Sequence, residues 1–439
     1  MITVIGSIGF LVLLSFFKAP ILLSIVLASI LAGQLADLTV IETISSFNEG
    51  IKNGATIALN YGCIGAFAAG LAKSGVTSWA CEHLAESHLI KQATQPKFII
   101  LLIILLASIS SQNIIPIHIA FIPLIIPVML HLMSQYQLDR RAVTCCVCFG
   151  LVVPYMTIPI GFGKIYINDV LFNNLHIFGI DTPELSIVKA MWIPALGMLF
   201  GLFIATFINY KKPRQYQHSE KLSKKIHTHI RPRKRTIVAT LCILTITLAL
   251  QIFTNSMVIG ALIGFSLFTI TGIINLKDSD DVFLLGIKMM ANIAFIMIAA
   301  QGFAQVLSDS GQILPMIKTL GSTLTQHRNI GIFAILLAGL LITVGIGSSF
   351  STVPIIASVF VPLALEMKLE PLSIITLIGT AGALGDACSP VSETTLAPSM
   401  ALNADGQHDH FKDTIIPCFF HITLPLLISG WVAVVFMNR

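Results

Sequence analysis

Residues 47–75 read "FNEGIKNGATIALNYGCIGAFAAGLAKSG", and residues 283–311 read "FLLGIKMMANIAFIMIAAQGFAQVLSDSG". Laid over each other without a gap, they agree at Phe47, Gly50, Ile51, Lys52, Ala55, Ile57, Ala58, Phe67, Ala68, Leu71, Ser74 and Gly75. Each of these finds the identical residue 236 positions on. Twelve matches in 29 positions lie above chance even for apolar sequence. The pairing divides the chain into two copies of one arrangement. Apolar segments near 2–16, 19–37, 54–72, 98–110, 115–133, 142–153 and 189–209 precede a basic stretch. Segments near 236–253, 256–274, 290–307, 330–345, 353–366, 372–384 and 415–436 follow it, in the same order with similar gaps. The expected organisation is a first transmembrane repeat over 1–210, a linker over 211–235 and a second repeat over 236–439.

The composition sets the class. Hydrophobic residues make up 55% of the 439 residues and charged residues 11%, against about 25% charged in a soluble domain. Mean hydropathy is +0.88. Several apolar runs are long enough to cross a bilayer as helices, and they are continuous rather than alternating, which excludes a β-barrel. The chain reads as an all-α polytopic membrane protein. The N-terminal stretch lacks a basic n-region and an A-x-A cleavage site, so it reads as a retained first helix. Ten of the 26 Lys and Arg lie between Lys211 and Arg235. The net charge of +5 therefore belongs to one loop and implies no nucleic-acid partner. Most of the eight cysteines sit in apolar segments as small hydrophobes. Cys145 and Cys148 spell C-x-x-C without a second pair, which gives no support to a redox or zinc role.

Charge also sets the topology. The linker is expected to be cytoplasmic by the positive-inside rule. Lys18, Lys73, Lys91, Lys97, Arg140 and Arg141 then fall inside. Segments 38–53 and 165–188 fall outside, with one Lys against Glu42, Glu49, Asp169, Asp181 and Glu184. Each half crosses an odd number of times, so the halves are two inverted-topology repeats. Each would have about five spanning helices, a hairpin and an interrupted helix.

The interruptions carry the chemistry. Hairpin turns are expected at "ISSQN" (109–113) and "GIGSSFST" (345–352), and unwound segments at "PYMTIPIGFGK" (154–164) and "GDACSPVSETT" (385–395). Interrupted segments in matching places of a repeat point to a secondary transporter. Backbone that leaves a helix at membrane depth is tolerated only in protein or along a wet cavity. Asp386 and Glu393 are the leading candidates, because an ionisable group in the membrane usually marks an ion path or proton relay. A carboxylate there can trade a proton for Na+, so both are candidate Na+ ligands. The structural alternative is a helix cap or a pair with a cation. Ser348, Ser349, Ser351 and Thr352 at one hairpin tip, and Ser110, Ser111, Gln112 and Asn113 at the other, offer further oxygen ligands. Lys164 is the counterpart of Thr395. It either binds a substrate carboxylate, balances Asp386, or snorkels to the interface. Asn60 and Tyr61 are expected to interrupt the third helix and face the cavity. His118 and His131 read as satisfied histidines on apolar helices. "GQHDH" (406–410) reads as a cytoplasmic loop rather than a metal site. No phosphate-binding loop, dinucleotide fingerprint or nucleophile motif stands in a suitable context, so no enzyme, ATP-driven pump or cofactor is expected.

"GDACSPVSETT" resembles the G-D-x-x-S-P-[IVL]-S-[DE]-T-T signature of NhaC-type Na+/H+ antiporters. "GIGSSFSTVPIIASVFVPLA" is similar to the Gly/Ser/Thr-rich hairpin segment of the same proteins. The resemblance implies two inverted repeats, an elevator-like motion, and site roles for Asp386, Ser389, Glu393, Thr394 and Thr395 alongside Ser348, Ser349, Ser351 and Thr352. Glu393 stands where many relatives have Asp, and the hairpin lacks the tryptophan common there. "NYGCIGAFAAGLAKSG" is similar to a subgroup suspected of moving amino acids. The expected function is Na+/H+ antiport across the bacterial inner membrane, with Na+- or H+-coupled amino acid transport as the alternative. A channel is disfavoured because interrupted inverted repeats suit alternating access. A homodimer is compatible with all of this.

Overall fold

The structure is a computed structural model. It describes all residues except 1, 18, 78, 80–82, 84–94, 114–125, 127–128, 131, 182–185, 217–231, 255, 313–314, 316–325, 391 and 439. His118, His131, most of the segment 115–133 and the middle of the linker thus lie outside the described residues. The first half comprises α1 (Ile2–Phe16), α2 (Ile21–Leu35), α3 (Val40–Lys73), α4 (Pro96–Asn113), α5 (Arg140–Thr157), α6 (Phe162–His176) and α7 (Ser186–Ile204). The second comprises α8 (Lys234–Thr254), α9 (Met257–Ile270), α10 (Ser279–Asp309), α11 (Arg328–Ile346), α12 (Ser349–Glu366), α13 (Pro371–Ala383), α14 (Glu393–Leu402) and α15 (His410–Met437). Among the described residues, seven helices are long and apolar enough to cross a membrane, or nine if each bent pair is one span.

Local sequence explains the helix ends. Thr39 and Glu42 form a reciprocal capping box at the start of α3. Asp139 accepts the Arg141 amide at 3.0 Å to cap α5, and Pro371 opens α13. α11 stops at Gly347, whose φ of +77° suits glycine, and α12 starts two residues later.

The repeated stretch packs against its own copy. α3 and α10 run antiparallel along each other, with Gly50 against the backbone of Gln301 and Gly302, and Gly65 against the carbonyl of Gly286. Neither glycine has room for a Cβ. Gly286 is the counterpart of Gly50, and Gln301 is the counterpart of Gly65. The same contact is therefore made twice, as a local two-fold axis between the helices requires. Small residues allow this approach, as they do in membrane helix pairs generally.

Packing sorts the helices into two groups. α1, α2 and α3 lie with α8, α9 and α10, while α4–α7 lie with α11–α15. α1 touches α11, and α10 touches α12, across the boundary. Each group thus draws on both halves of the sequence.

The structure corrects four sequence expectations. Residues 109–113, expected as a hairpin turn, are the last residues of the continuous helix α4. α3 is continuous through Asn60 and Tyr61, because neither residue blocks a helical hydrogen bond. The first break is confined to 158–161, between the end of α5 and the start of α6, with a bend of 53°. Pro154 lies inside α5 and Lys164 inside α6. The segment 165–188 is not wholly an outer loop: α6 runs to His176, through a π-helical stretch over Ile165–Phe172.

Candidate functional site

The second break, between α13 and α14, holds Asp386, which is 4% exposed. Its carboxylate is met by hydroxyls. Tyr155 on α5 donates to Oδ2 at 2.9 Å, and Ser392 donates to Oδ1 at 2.5 Å. Thr394 Oγ1 lies 3.2 Å from Oδ1 and 2.6 Å from the Asp386 backbone carbonyl. A tyrosine has one proton to give. With it on Asp386, Ser349 at the start of α12 donates to Tyr155 across 2.7 Å. Ser392 also caps α14 by accepting the Thr394 amide at 3.3 Å. Among the described residues, no Lys, Arg or His forms an ion pair with Asp386.

A cavity of about 60 Å³ opens beside this shell. Asp386, Glu393, Thr394, Ser348 and Ser351 line it, together with Tyr61, Gln112, Tyr155 and Ser392. Ile21 and Ile296 close it from α2 and α10. The polar groups around Asp386 therefore come from one helix group, while the other supplies apolar wall and Tyr61. Glu393, the first residue of α14, shows no hydrogen bond or ion pair among the described residues. Gln112 Oε1 is buried and likewise unpartnered.

The other expected site residues do different work. Ser389 Oγ donates to the Val344 carbonyl at 2.8 Å, tying the break to α11. Thr395 Oγ1 is within bonding distance of the carbonyls of Ser389 (2.6 Å) and Ser392 (3.0 Å). Thr352 bonds the Ser348 carbonyl at 2.6 Å, which tightens the hairpin tip. Ser111 turns back onto Ser108 at 2.7 Å. Asn113 Nδ2 lies 3.3 Å from the Pro154 carbonyl and 3.0 Å from that of Ile158, so it serves the first break. Asn60 Nδ2 meets Asp169 Oδ2 at 3.2 Å. Lys164 lies within electrostatic reach of Asp169, and neither borders the cavity.

Sequence reasoning missed Tyr155, Ser392 and Asp169. The first two stand inside the quoted breaks, where attention went to carboxylates. Asp169 was assigned to an outer loop because α6 was not recognised as continuing past the break. The "GQHDH" loop is structural. His408 Nε2 pairs with Thr414 at 2.8 Å, and burial pushes its imidazole down to about 4, which keeps it neutral. Burial pushes the Asp405 carboxyl up, and Arg140, bonded at 2.7 Å, more than offsets this and leaves it below the usual range.

A family described as the Na+/H+ antiporter family matches residues 146–431. The chain belongs to the Na+/H+ antiporter family. A second description, the Na+-H+ antiporter family, matches residues 3–87. An uncharacterized membrane protein of Vibrio parahaemolyticus is 41% identical over 98% of both chains. YuiF of Bacillus subtilis, whose name provisionally calls it an amino acid transporter, is 38% identical over 89% of this chain and 90% of its own. The fold is similar to that of the YdaH transporter of Alcanivorax borkumensis (TM-score 0.60, 14% identity, 90% and 88% coverage). It is also similar to MtrF of Neisseria gonorrhoeae (TM-score 0.59, 14% identity, 91% and 83% coverage). This antiporter-family chain is a multi-pass membrane transporter and not an enzyme.

Proposed function

We propose that the protein exchanges Na+ for H+ by alternating access, with Asp386 as the shared binding group and Glu393 beside it. One observation carries the reading: a buried carboxylate is surrounded by hydroxyls and has no cation partner among the described residues. Leaving a bare charge there is costly, and either a proton or Na+ removes the cost. Hydroxyls both donate and accept. Tyr155 and Ser392 thus serve a carboxylate, a carboxylic acid or a Na+-bound carboxylate by turning their protons, while the Thr394 proton stays on the Asp386 backbone carbonyl. A cavity of about 60 Å³ holds a few waters, at roughly 15 Å³ each, or a partly hydrated ion.

The two halves are proposed to be inverted repeats over 1–210 and 236–439, with the 211–235 linker facing the cytoplasm across the bacterial inner membrane. The group formed by α4–α7 and α11–α15 carries the shell of Asp386. It is proposed to move as a unit against α1–α3 and α8–α10, whose apolar residues seal the cavity.

The test uses everted vesicles with an imposed pH gradient. Addition of Na+ should collapse the gradient in the wild type and leave it intact in Glu393→Gln or Asp386→Asn. Unchanged gradients on Na+ addition, with counterflow of a labelled amino acid, overturn antiport. They favour the second reading, which the name of YuiF supports. In that reading a helix N-terminus and the hairpin hydroxyls hold the solute carboxylate, while Asp386 or Glu393 meets its ammonium.

A further inference from the structure

We propose that the protein binds the headgroup of an anionic phospholipid between the start of α4 and the end of the α7 span, which extends to Asn209. A cavity of about 350 Å³ lies there, with Lys97 and Lys211 in its lining. Neither lysine forms an ion pair among the described residues, and no acidic residue is in the lining. The neighbouring Arg141 is already committed: it pairs with Asp139 at 2.7 Å and lies 4.6 Å from the ring centroid of Tyr210. Among the described residues, the free positive charge in the lining thus belongs to the two lysines. Tyr136 and Tyr210 add phenol groups beside them, as aromatic side chains do at a membrane interface.

The rest of the cavity is apolar. Phe98 and Phe207 lie with ring centroids 5.7 Å apart, and both are exposed. From them, exposed Leu102 and Leu106 continue along α4, and Phe203 and Phe200 along α7. A basic mouth therefore opens onto two apolar helix faces. Charge complementarity selects an anionic headgroup, and the apolar faces accommodate acyl chains. A polybasic site near the membrane surface attracts such lipids at about 1 kcal/mol per Lys. Assignment to the inner leaflet rests on the proposed cytoplasmic linker; the binding itself does not.

The full chain, purified in detergent, is titrated with fluorescent phosphatidylglycerol, and phosphatidylcholine and inorganic phosphate serve as controls. Lys97→Gln with Lys211→Gln should weaken phosphatidylglycerol binding by about thirtyfold, or roughly fivefold per lysine. Lys234→Gln with Arg235→Gln, in the same basic region but outside the cavity, should leave binding unchanged. Size-exclusion profiles matching the wild type show that each variant is folded. If the double lysine variant does not fold, the single variants, each about fivefold weaker, carry the test. Equal loss in the Lys234/Arg235 variant overturns the proposal, as does equal binding of phosphatidylcholine. Competition by inorganic phosphate at the lipid's own concentration also overturns it. Binding is read without transport, so its failure leaves the antiport reading untouched.

Discussion

The two helix breaks occupy matching places, yet they are built differently. In the first, 158–161, the chain turns at Gly161, whose φ of +62° and contact with the Asn113 backbone exclude a side chain. Asn113 reaches over from α4 to cover the carbonyls of Pro154 and Ile158, and the break contains no carboxylate. In the second, Thr394, Thr395 and Ser389 bind carbonyls with their own hydroxyls. The backbone is thus satisfied before Asp386 is considered, and its carboxylate is left to hydroxyl side chains that can turn. One break is a hinge closed by an amide; the other is a hinge with a titratable group placed inside it. Both copies are broken at matching places, but only the second carries a buried acid, and the proposed ion binding gives that acid a use.

The most severe way to break that contrast is Asp386→Asn. The amide keeps the shape and removes the charge that a proton or Na+ would neutralise in the proposed exchange. Transport should be abolished, because the neutral amide can neither take up the exchanged proton nor balance the charge of Na+. Expression and membrane insertion should match the wild type. Wild-type initial rates in vesicles bearing equal amounts of the variant would remove Asp386 from the site.

Tyr155→Phe asks whether the two breaks cooperate, because Tyr155 stands on the helix that leads into the first break and donates to the acid of the second. A hydrogen bond to a charged group contributes about 1.5–3 kcal/mol. The apparent Na+ affinity should weaken by roughly tenfold to a hundredfold, with little loss of maximal rate. An unchanged Na+ dependence would make Tyr155 a packing residue.

Both breaks were legible as breaks, since Pro159 and Gly161, and Gly385 and Pro390, punctuate otherwise apolar helices. Asp386 was legible as a candidate, because a charge in such a run is unusual; the structure places it buried among hydroxyls. Tyr155 was not: a tyrosine in an apolar helix ordinarily reads as packing, and only the fold brings it 231 positions along the chain to Asp386. The hydroxyls were legible as a set but not individually. Ser392 faces Asp386 and Thr395 faces backbone, although only two residues separate them, because the turn into α14 redirects each side chain. The pairing of α3 with α10 was legible as a repeat. Its packing was not, since the identities at 236-residue spacing state likeness and not contact.

Thr395→Val and Asn113→Ala separate the breaks by stability alone. Valine keeps the volume of Thr395 but withdraws the proton shared by the Ser389 and Ser392 carbonyls, a buried loss of about 1–3 kcal/mol. The thermal midpoint in detergent should fall by a few degrees. Asn113→Ala should cost less, about 1 kcal/mol, because the carbonyls it serves keep other partners. The Ile158 amide is 2.9 Å from the Pro154 carbonyl, and the Ile160 amide is 2.8 Å from that of Ile158. Its Na+ dependence should be that of the wild type, since its amide nitrogen serves α5 rather than Asp386. A weaker Na+ affinity in Asn113→Ala would mean that the first break is part of the binding site, and that the two copies share the chemistry as well as the shape.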